Sequence, residues 1–294
     1  MYPVFTLHQT LTGFSRAMFS NWLWHRPLNL LVDAGEGVQL ALGAKIWAIE
    51  TLLLTHGHAD HLLGLPGFVA SRRFSKGAQD KPLTVVYPGG NSGVETIRAF
   101  LSRLWPNETF PVTWTGVAAG DELPLGKGRV LHAFKAEHGT SEPALGYRVL
   151  DQRRRLRAEF AGLPEREIRD RVRTLGRDTL MEPYRHVLFA HTGDSMPLDP
   201  ALVERADLVV HDATFLEPGD RKWDIHASSV EVLAMAREAR IACLVLNHLS
   251  VRYDRGEALP SLRAQVAASG FEGGCWLLDD GRLIPLHNGA GTAA

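Results

Sequence analysis

The sequence predicts an α/β protein with its functional residues gathered at one edge of its β-sheets. Apolar runs of strand length alternate with segments whose apolar residues recur at helical spacing. Each of several such runs is followed closely by a His or an Asp. Because ligands of α/β proteins bind beyond the carboxyl ends of the strands, we expect these side chains to meet. They are Asp33, His56, His138, Asp194, Asp212 and His248.

The composition is that of an ordinary globular protein. The chain has 294 residues, 45% of them apolar and 22% charged, and a formal net charge of −1. This near-neutral charge excludes an overall positive field that would attract nucleic acid, but a local cluster of basic residues could still do so. No apolar run approaches the roughly 20 residues of a membrane span, and no secretory signal is recognised. The only two cysteines, Cys243 and Cys275, are expected to be buried thiols. We therefore expect one cytoplasmic domain covering residues 1–294.

The first predicted elements, in residues 1–32, are two strands joined by a loop that is rich in aromatic residues. Packing in the core or under a lid is the first interpretation, because large aromatic side chains favour the interior. The alternative is that they form a wall beside a binding cleft. The residues are Phe14, Phe19, Trp22 and Trp24.

A predicted strand at residues 30–32 ends at Asp33 in a glycine-rich turn. Asp33 either orients a metal-binding histidine or fixes the turn through backbone N–H groups. The next predicted strand, residues 49–54, leads into a His-x-His-x-Asp-His loop. Ligands so close behind a buried strand cannot all be buried without partners, and a pair of metal ions would satisfy them. Zinc suits such ligands, and manganese is the alternative. The loop supplies His56, His58, Asp60 and His61.

The middle of the chain alternates between predicted helices and strands. Turns are predicted at residues 121–123 and 126–128. The strand that follows them ends in Glu137-His138-Gly139, which makes His138 a further candidate ligand. The predicted helices are 62–74 and 93–104, and the predicted strands are 82–87, 112–117, 129–136 and 144–150.

Residues 151–185 differ in composition from the rest and are predicted to be an insertion. From Arg148 to Arg185 there are eleven arginines, no lysine and seven acidic residues, a local balance of +4. One interpretation is a solvated helical surface. The other is a segment that grips a polyanion, because arginine suits phosphate better than lysine does. Substrate contact is then predicted for Arg153, Arg154, Arg155 and Arg157.

The C-terminal part repeats the order of strand, ligand-type residue and helix. A strand at 186–191 leads to Asp194, one at 208–211 to Asp212, and one at 242–246 to His248. His226 precedes a predicted helix at 229–240. The chain closes with a predicted helix at 259–268 and strands at 275–278 and 282–286.

The His-x-His-x-Asp-His loop resembles the signature loop of the metallo-β-lactamase superfamily of metallohydrolases. That resemblance implies a four-layer αβ/βα sandwich with metals at one edge. Within the superfamily the chain is most similar to the ribonuclease Z group, the tRNA 3′-processing endonucleases, over most of its length. The matching segments are 32–39 (VDAGEGVQ), 54–67, 137–139, 145–148, 192–194, 211–215 (HDATF), 226–228 and 247–253.

The resemblance implies two metal ions bridged by Asp194. Two metals lower the pKa of a water molecule and hold the attacking and leaving oxygens of a phosphodiester. By the same resemblance Asp212 orients His226, which binds the scissile phosphate or protonates the leaving 3′-oxygen, and Asp60 orients or deprotonates the nucleophile. The first metal's ligands would be His56, His58, His138 and Asp194, and the second's Asp60, His61, Asp194 and His248.

The resemblance also implies a substrate, precursor tRNA, and a homodimer in which the arm of one subunit reaches RNA at the other's site. Arg252 falls in one of the matching segments and Ser195 directly follows another, and both are predicted to contact the substrate. The chain departs from the family's pattern in several places. Residues 9–21 replace the family's glycine-rich loop, Asp212 stands where Glu is usual, and Ser195 where Thr is usual. The arginine-rich segment replaces the arm's usual Gly-Pro-rich tip.

Two other functions stay open. Lactonases, thioesterases and small phosphodiesterases share the metal loop, although none readily explains His211-Asp212-Ala213-Thr214 together with His226 and the segment around His248. A non-catalytic accessory protein that binds a small ligand is the other alternative, although such a protein would be expected to have lost metal ligands.

Overall fold

The computed structural model describes residues 10–73, 81–106, 111–139 and 141–289, and shows two β-sheets packed face to face. The first sheet has the strand order β1-β2-β3-β4-β5-β6. β2 pairs antiparallel with both β1 and β3, whereas β3 to β6 run parallel. The strands are β1 (Leu11–Arg16), β2 (Ser20–His25), β3 (Leu30–Val32), β4 (Thr51–Leu53), β5 (Leu83–Pro88) and β6 (Val112–Val117).

Helices cover the outer face of this sheet because their apolar sides and the outward residues of the strands form one buried cluster. Phe68 and Val94 contribute from helices, and Leu52 and Val85 from strands. Parallel strands covered on both faces are expected to be apolar throughout, as β3 is. The helices are α1 (Val38–Leu42), α2 (Ala59–Leu62), α3 (Leu65–Arg73) and α4 (Ser92–Leu104).

The second sheet has the order β14-β13-β12-β11-β10-β9-β8-β7, with parallel pairing from β10 to β13. β7, at one edge, and β14, at the other, pair antiparallel with their neighbours. The strands are β7 (Glu122–Gly126), β8 (Arg129–Lys135), β9 (Leu145–Leu156), β10 (Met181–His191), β11 (Val209–Asp212), β12 (Cys243–Asn247), β13 (Gly274–Asp279) and β14 (Arg282–His287).

β9 and β10 continue beyond the sheet as a two-stranded antiparallel arm. The last pairing of β9 with β8 is at Asp151, whereas β9 stays paired with β10 out to Leu156 and Met181. The predicted arginine-rich insertion therefore forms a two-stranded ribbon with a helical tip. The predicted helical surface accounts only for that tip. The helices of the tip are α5 (Glu165–Leu175) and α6 (Arg177–Leu180), preceded by a 3₁₀ turn at Ala158–Phe160.

Two further helices, α7 (Ser229–Ala239) and α8 (Arg255–Ser269), cover the outer face of the second sheet. Between the sheets, side chains from both inner faces form a shared core that includes Leu53, Phe189 and Val245. The order helix, sheet, sheet, helix is the four-layer αβ/βα sandwich that the resemblance implied, so the fold prediction is confirmed. The remaining 3₁₀ turns are Arg26–Leu28, Gly43–Ala48, Pro200–Val203 and Pro218–Asp220.

Three element predictions need correction. The predicted turn at residues 121–123 is part of strand β7, in which Leu123 and Leu125 point toward the inter-sheet core and Pro124 is tolerated because the strand lies at an edge. The predicted helix at 62–74 is two helices, α2 and α3, and its last residue lies outside the described part. The break occurs where Gly64 approaches the Gly35 carbonyl so closely that a Cβ would lie 1.9 Å from it. β9 and β10 are longer than predicted.

The two cysteines are free and buried, as expected. Cys243 faces the inter-sheet core and Cys275 the outer cluster, so the two thiols lie on opposite faces of the second sheet. Burial raises the pKa of both thiols, which keeps them protonated. Among the described residues, none of the helices has the length and apolar content that a transmembrane span requires.

Candidate active site

The predicted ligands meet at the edge where the carboxyl ends of both sheets' strands lie. The first sheet supplies the loop after β4, and the second supplies the segments after β8, β10 and β12. One atom from each of four residues lies within 4.8 Å of the other three, which is close enough for a single metal ion. This group consists of His56, His58, His138 and Asp194, the four predicted for the first metal.

A second group adjoins the first through Asp194. Asp60, His61 and His248 form a cluster by the same distance criterion. The Oδ2 atom of Asp194 lies 3.4 Å from His61 Nε2 and 3.2 Å from His248 Nε2. It also lies 3.7 Å from His56 Nε2 in the first group. The Asp194 carboxylate is therefore shared by both groups, which is the position of a bridging ligand.

Four of the histidines direct Nε2 to the cluster because Nδ1 is held by another group. Nδ1 lies 2.8 Å from Asp33 Oδ2 in His61 and 3.0 Å from the Ile225 carbonyl oxygen in His138. It contacts the hydroxyl of Thr55 in His56 and of Thr214 in His248. Partners of this kind fix the ring and its tautomer, as they do for metal-binding histidines.

Asp33 has the geometry of the first of its two predicted roles, because it holds His61, and the backbone N–H that it accepts from belongs to Thr55 rather than to the glycine-rich turn. It accepts hydrogen bonds from the Thr55 backbone N–H and hydroxyl as well as from His61. Its own backbone is in the left-handed region, with φ of 56°, as is that of His248, with φ of 63°. Non-glycine residues hold that conformation at a cost, and functional sites are where such strain collects.

Asp212 and His226 form a pair next to both groups, with Asp212 fully buried and His226 partly exposed. The His226 ring centroid lies 5.0 Å from that of His138 and 5.1 Å from that of His248. His226 Nδ1 donates to Asp212 Oδ2 at 2.7 Å. The same carboxylate accepts from the Ser195 backbone N–H at 3.0 Å and from the Thr214 backbone N–H and hydroxyl. Both oxygens are thus fully engaged, and Asp212 has no exposed surface. Although Asp is one methylene shorter than the Glu that is usual in the family, Asp212 reaches His226 at ordinary hydrogen-bond distance.

The buried groups of the site shift one another's pKa values in both directions: burial lowers the pKa of His56, His58 and His138, whereas carboxylates raise that of two other histidines. Burial would raise the pKa of Asp194, but His248 and His61 hold it well below its usual range. Burial would lower the pKa of His61, but Asp194 and Asp33 raise it well above its usual range. Burial also acts to lower the pKa of His226, and Asp212 raises it to about 9. Cations bound nearby would lower the raised pKa values of His61 and His226.

The residues fit divalent metal ions. The buried Nε2 atoms of His56 and His248 have no hydrogen-bond partner within the described ranges. Buried polar atoms without a partner are costly, and a metal ion removes that cost. A donor set of imidazole nitrogen and carboxylate oxygen is that of zinc and similar ions.

Asn21 was missed by the sequence analysis although it touches the cluster. Its Nδ2 donates to Asp60 Oδ2 at 2.9 Å and lies 3.4 Å from His61 Nε2. Its Oδ1 accepts from the Ser15 hydroxyl, which in turn accepts the backbone N–H of His248. The turn between β1 and β2 adds a second donor, the backbone N–H of Met18, at 3.1 Å from Asp60 Oδ2.

Two residues predicted to contact substrate, Ser195 and Arg252, are engaged within the protein. Ser195 is fully buried: its backbone N–H donates to Asp212, and its hydroxyl, which has no hydrogen-bond partner among the described residues, does not reach the surface. The guanidinium of Arg252 lies 4.9 Å from the centroid of the Phe215 ring and donates to the Asp220 carbonyl, which anchors the loop that carries His226. Sequence spacing gave no indication of either contact.

Most arginines of the arm are paired with acids. Arg153 bonds Asp151 and lies 3.5 Å from Asp207, Arg154 pairs with Asp178, and Arg155 with Glu182. Arg169, Arg171 and Arg173 pair along α5. Within the described residues no ion pair is formed by Arg157, Arg166 and Arg177.

Comparison with known proteins agrees with this geometry. A family model described as a beta-lactamase superfamily domain matches residues 28–162. A ribonuclease Z of Staphylococcus carnosus is 33% identical over 263 residues, which cover 80% of this chain and 81% of that protein. The chain belongs to the ribonuclease Z family. A family member from Natronomonas pharaonis is 30% identical and spans 87% of this chain and 88% of its own length. Like its family, the chain is a metal-dependent hydrolase.

Solved structures agree on the fold. Human tRNase Z, short form, superimposes with a TM-score of 0.61 at 20% identity, covering 94% of this chain and 99% of that one. The metallo-beta-lactamase fold protein YhfI of Bacillus subtilis superimposes with a TM-score of 0.65 at 16% identity, covering 93% and 97%. At these identities the likeness concerns the fold, so the assignment to the ribonuclease Z family rests on the sequence relatives.

Proposed function

We propose that this chain is an endonuclease that removes 3′ trailers from precursor tRNA by hydrolysing one phosphodiester bond. The observation that carries the proposal is the Asp212–His226 pair, which lies against a cluster of seven ligand-type residues. A cluster alone would serve any hydrolase of this fold. A carboxylate–imidazole pair beside it supplies a general acid, which the leaving 3′-oxygen of a ribonucleotide requires.

We propose two divalent metal ions, zinc by default and manganese as the alternative, with Asp194 bridging. Such ions would activate a water molecule and stabilise charge on the phosphate. Asp60 would help to orient that water, because Met18 and Asn21 already fix one of its oxygens. The first ion's ligands would be His56, His58, His138 and Asp194, and the second's Asp60, His61, Asp194 and His248.

His226 would act at the leaving group. Its Nδ1 is committed to Asp212, which leaves Nε2 to hold the proton that the leaving oxygen needs. In the hydrolysis, the oxygen of water bonds to phosphorus, the bond from phosphorus to the 3′-oxygen breaks, and that oxygen takes the proton. The products are a tRNA with a 3′-hydroxyl and a trailer with a 5′-phosphate. Asp212 holds the ring through this step because three other donors fix the position of its carboxylate.

The arm would bind the tRNA body away from the cut. Its arginines occur on a ribbon that extends beyond the sheet, and arginine forms bidentate contacts with phosphate. Arg157, Arg166 and Arg177 have no acidic partner among the described residues and are the strongest candidates for phosphate contacts. We also propose a cytoplasmic homodimer in which each arm serves the partner's site. Sedimentation of the purified protein tests the dimer, and a monomer at micromolar concentration would contradict it.

The deciding experiment is cleavage of a 3′-extended precursor tRNA by the zinc-loaded protein, with Asp60→Ala as the inactive control. A single cut directly after the discriminator nucleotide, absent in the control, is the expected result. Hydrolysis of bis-p-nitrophenyl phosphate without any cut in the tRNA would contradict the substrate and favour the small-phosphodiester alternative. No hydrolysis of either would favour the non-catalytic alternative.

A further inference from the structure

Exposed aromatic side chains cluster at the site. Among the phenylalanines and tryptophans of the described residues, the three most exposed are Trp223 at 64%, Phe19 at 58% and Phe100 at 49%. Phe100 lies on α4 in the outer layer, whereas Trp223 and Phe19 lie on segments whose backbone contacts residues of the metal-ligand cluster. Exposing a large aromatic ring to water is unfavourable, so two such rings beside one cleft indicate a ligand with flat apolar faces.

Trp223 lies at the His138 side of the cluster. Its carbonyl accepts the Ile225 N–H at 2.9 Å, and the Ile225 carbonyl lies 3.0 Å from His138 Nδ1. Trp223 is three positions before His226, so the two Cα atoms are at most roughly 11 Å apart. The surrounding loop is fixed, because Arg221 bonds both Asp224 and Glu231. The backbone that carries the ring is therefore held in place before any ligand binds, which lowers the entropic cost of ordering it for stacking.

Phe19 lies at the Asp60 side. It follows Met18, whose backbone N–H donates to Asp60 Oδ2 at 3.1 Å, and its own N–H closes the turn on the Arg16 carbonyl at 3.0 Å. Asp60 and His138 fall in different ligand groups, so the two rings border different ends of the cluster. Trp22 and Trp24 are buried, and Phe14 is partly buried against the outer cluster of the first sheet. Phe19 is therefore the residue of that aromatic segment that fits a wall beside the cleft.

Each ring carries a cation on one face. The Lys222 ammonium lies 4.7 Å from the centroid of Trp223, and the Arg16 guanidinium lies 5.0 Å from that of Phe19. An aromatic ring with an adjacent cation is the arrangement by which proteins bind single-stranded nucleic acid, with the ring stacking on a base and the cation close to the backbone. A small phosphodiester or a lactone offers no bases for two such rings.

We propose that Trp223 and Phe19 stack on the two unpaired bases that flank the scissile phosphate. The substrate class is then RNA with at least one unpaired nucleotide on each side of the cut. The proposal rests on the proposed function, in which His226 protonates the leaving 3′-oxygen. Because Trp223 lies on the loop that carries His226, it stacks on the nucleotide that carries that oxygen. Phe19 stacks on the first nucleotide of the trailer.

The experiment pairs loss of a ring with loss of a base. Precursor tRNA is prepared intact, with an abasic residue directly before the cut, or with one directly after it. Each is cleaved by wild type, Trp223→Ala, Phe19→Ala and Phe100→Ala, and kcat/KM is divided by that for bis-p-nitrophenyl phosphate. On intact RNA, Trp223→Ala and Phe19→Ala are expected to lose about 5- to 100-fold in this ratio, the range of base–aromatic stacking. Phe100→Ala is expected to match wild type, and Trp223→Phe to recover most of the loss.

The coupling decides the assignment. Trp223→Ala is expected to lose little further when the base before the cut is absent, and Phe19→Ala little further when the base after the cut is absent. If the fold-loss from removing a ring and the fold-loss from removing a base multiply for every ring and base, the proposal is overturned. It is also overturned if both alanine variants keep the wild-type ratio of kcat/KM on RNA to kcat/KM on bis-p-nitrophenyl phosphate. Coupling with the opposite nucleotide would overturn the assignment of sides.

Failure of the stacking proposal can be distinguished from failure of the proposed tRNA-processing function. If wild type cuts no precursor tRNA, the tRNA assignment fails, and the same variants are compared on a single-stranded oligoribonucleotide carrying the same abasic positions. Equal cleavage of that RNA by wild type and both alanine variants would overturn the stacking proposal alone. An absence of cleavage on any RNA would overturn both.

Discussion

His226 Nδ1 lies 2.7 Å from Asp212 Oδ2, and the other oxygen of Asp212 reaches His248 through the hydroxyl of Thr214. The first sheet repeats this pattern. There, Asp33 bonds His61 directly and reaches His56 through the hydroxyl of Thr55. Each sheet thus contributes one buried aspartate that holds one histidine directly and a second through a threonine. Three of these four histidines are proposed metal ligands, and His226 is the one assigned to the leaving group.

Replacing His226 tests that assignment. His226→Ala is expected to lower kcat for phosphodiester cleavage about 10²- to 10⁴-fold, because a general acid contributes that much, and to keep both metal ions. Metal content by mass spectrometry and kcat are measured together, with the exposed His287→Ala as the matched control. Because His226 also falls within metal-binding distance of Asp194 and His248, loss of one ion in the variant would show it to be a ligand.

Asp212→Glu introduces the residue that is usual in the family. In this chain it is expected to reduce activity, because Asp212 is fully buried and both of its oxygens already have partners. An extra methylene in such a site costs roughly 1–3 kcal/mol. Thermal unfolding and kcat are measured beside Asp212→Asn, which keeps the size but removes the charge. Wild-type activity in Asp212→Glu would mean that the surrounding loop adjusts to the longer side chain.

Asn21→Ala is expected to weaken metal binding or lower kcat by about 10- to 100-fold, which is the usual effect of removing a group that orients a ligand. The variant removes the donor that lies 2.9 Å from Asp60 Oδ2. Zinc titration and steady-state rates are the measurements. Ser15→Ala, which removes the hydroxyl that holds Asn21, is expected to show a smaller effect in the same direction. Unchanged values in both variants would leave Asn21 with a packing role only.

The unpaired arginines of the arm are expected to carry RNA binding. Arg157, Arg166 and Arg177 are changed together to Ala, and the paired set Arg169, Arg171 and Arg173 is changed as a control with the same loss of charge. Each lost phosphate contact reduces the magnitude of the slope of log K against log salt concentration by about 0.7–0.9. The slope of the first triple variant is therefore expected to be smaller in magnitude by about 2–3. Removal of residues 153–177 would have a larger effect. Equal slopes in both triple variants would contradict specific phosphate contacts.

Zinc is expected to stabilise the folded chain. A metal held at 100 times its dissociation constant adds about 2.7 kcal/mol to the free energy of unfolding, so the melting temperature rises by several degrees. Asp194→Ala is expected to abolish the rise, because both ligand groups share that carboxylate. Asp199→Ala, an exposed carboxylate on the loop after Asp194, serves as the control. A zinc effect that persists in Asp194→Ala would place the metal elsewhere.

The strand ends and the ligand order could be predicted from the sequence because they are local. A short apolar run followed by His or Asp is visible in a few residues, and the strands then bring these ends to one edge. Asn21 could not be found in this way, since its contact with Asp60 spans 39 positions and depends on how the first hairpin folds over the loop. The outer part of the arm was missed as strand because both of its faces are solvated, so residues 152–156 show no alternation of apolar and polar side chains.

The arm and the catalytic edge are parts of one continuous strand. β10 starts at Met181, beside the arm's helices, and ends at His191, three residues before Asp194. At about 3.4 Å per residue, its eleven residues span roughly 34 Å from the arm's helices to the catalytic edge. If the arm binds the tRNA body as proposed, the number of residues in this strand sets the distance between that contact and the site. Two residues added to each strand of the ribbon would move the tip outward by about 7 Å with every side chain on its original face. A single added residue would turn the arginines of the ribbon to the opposite side.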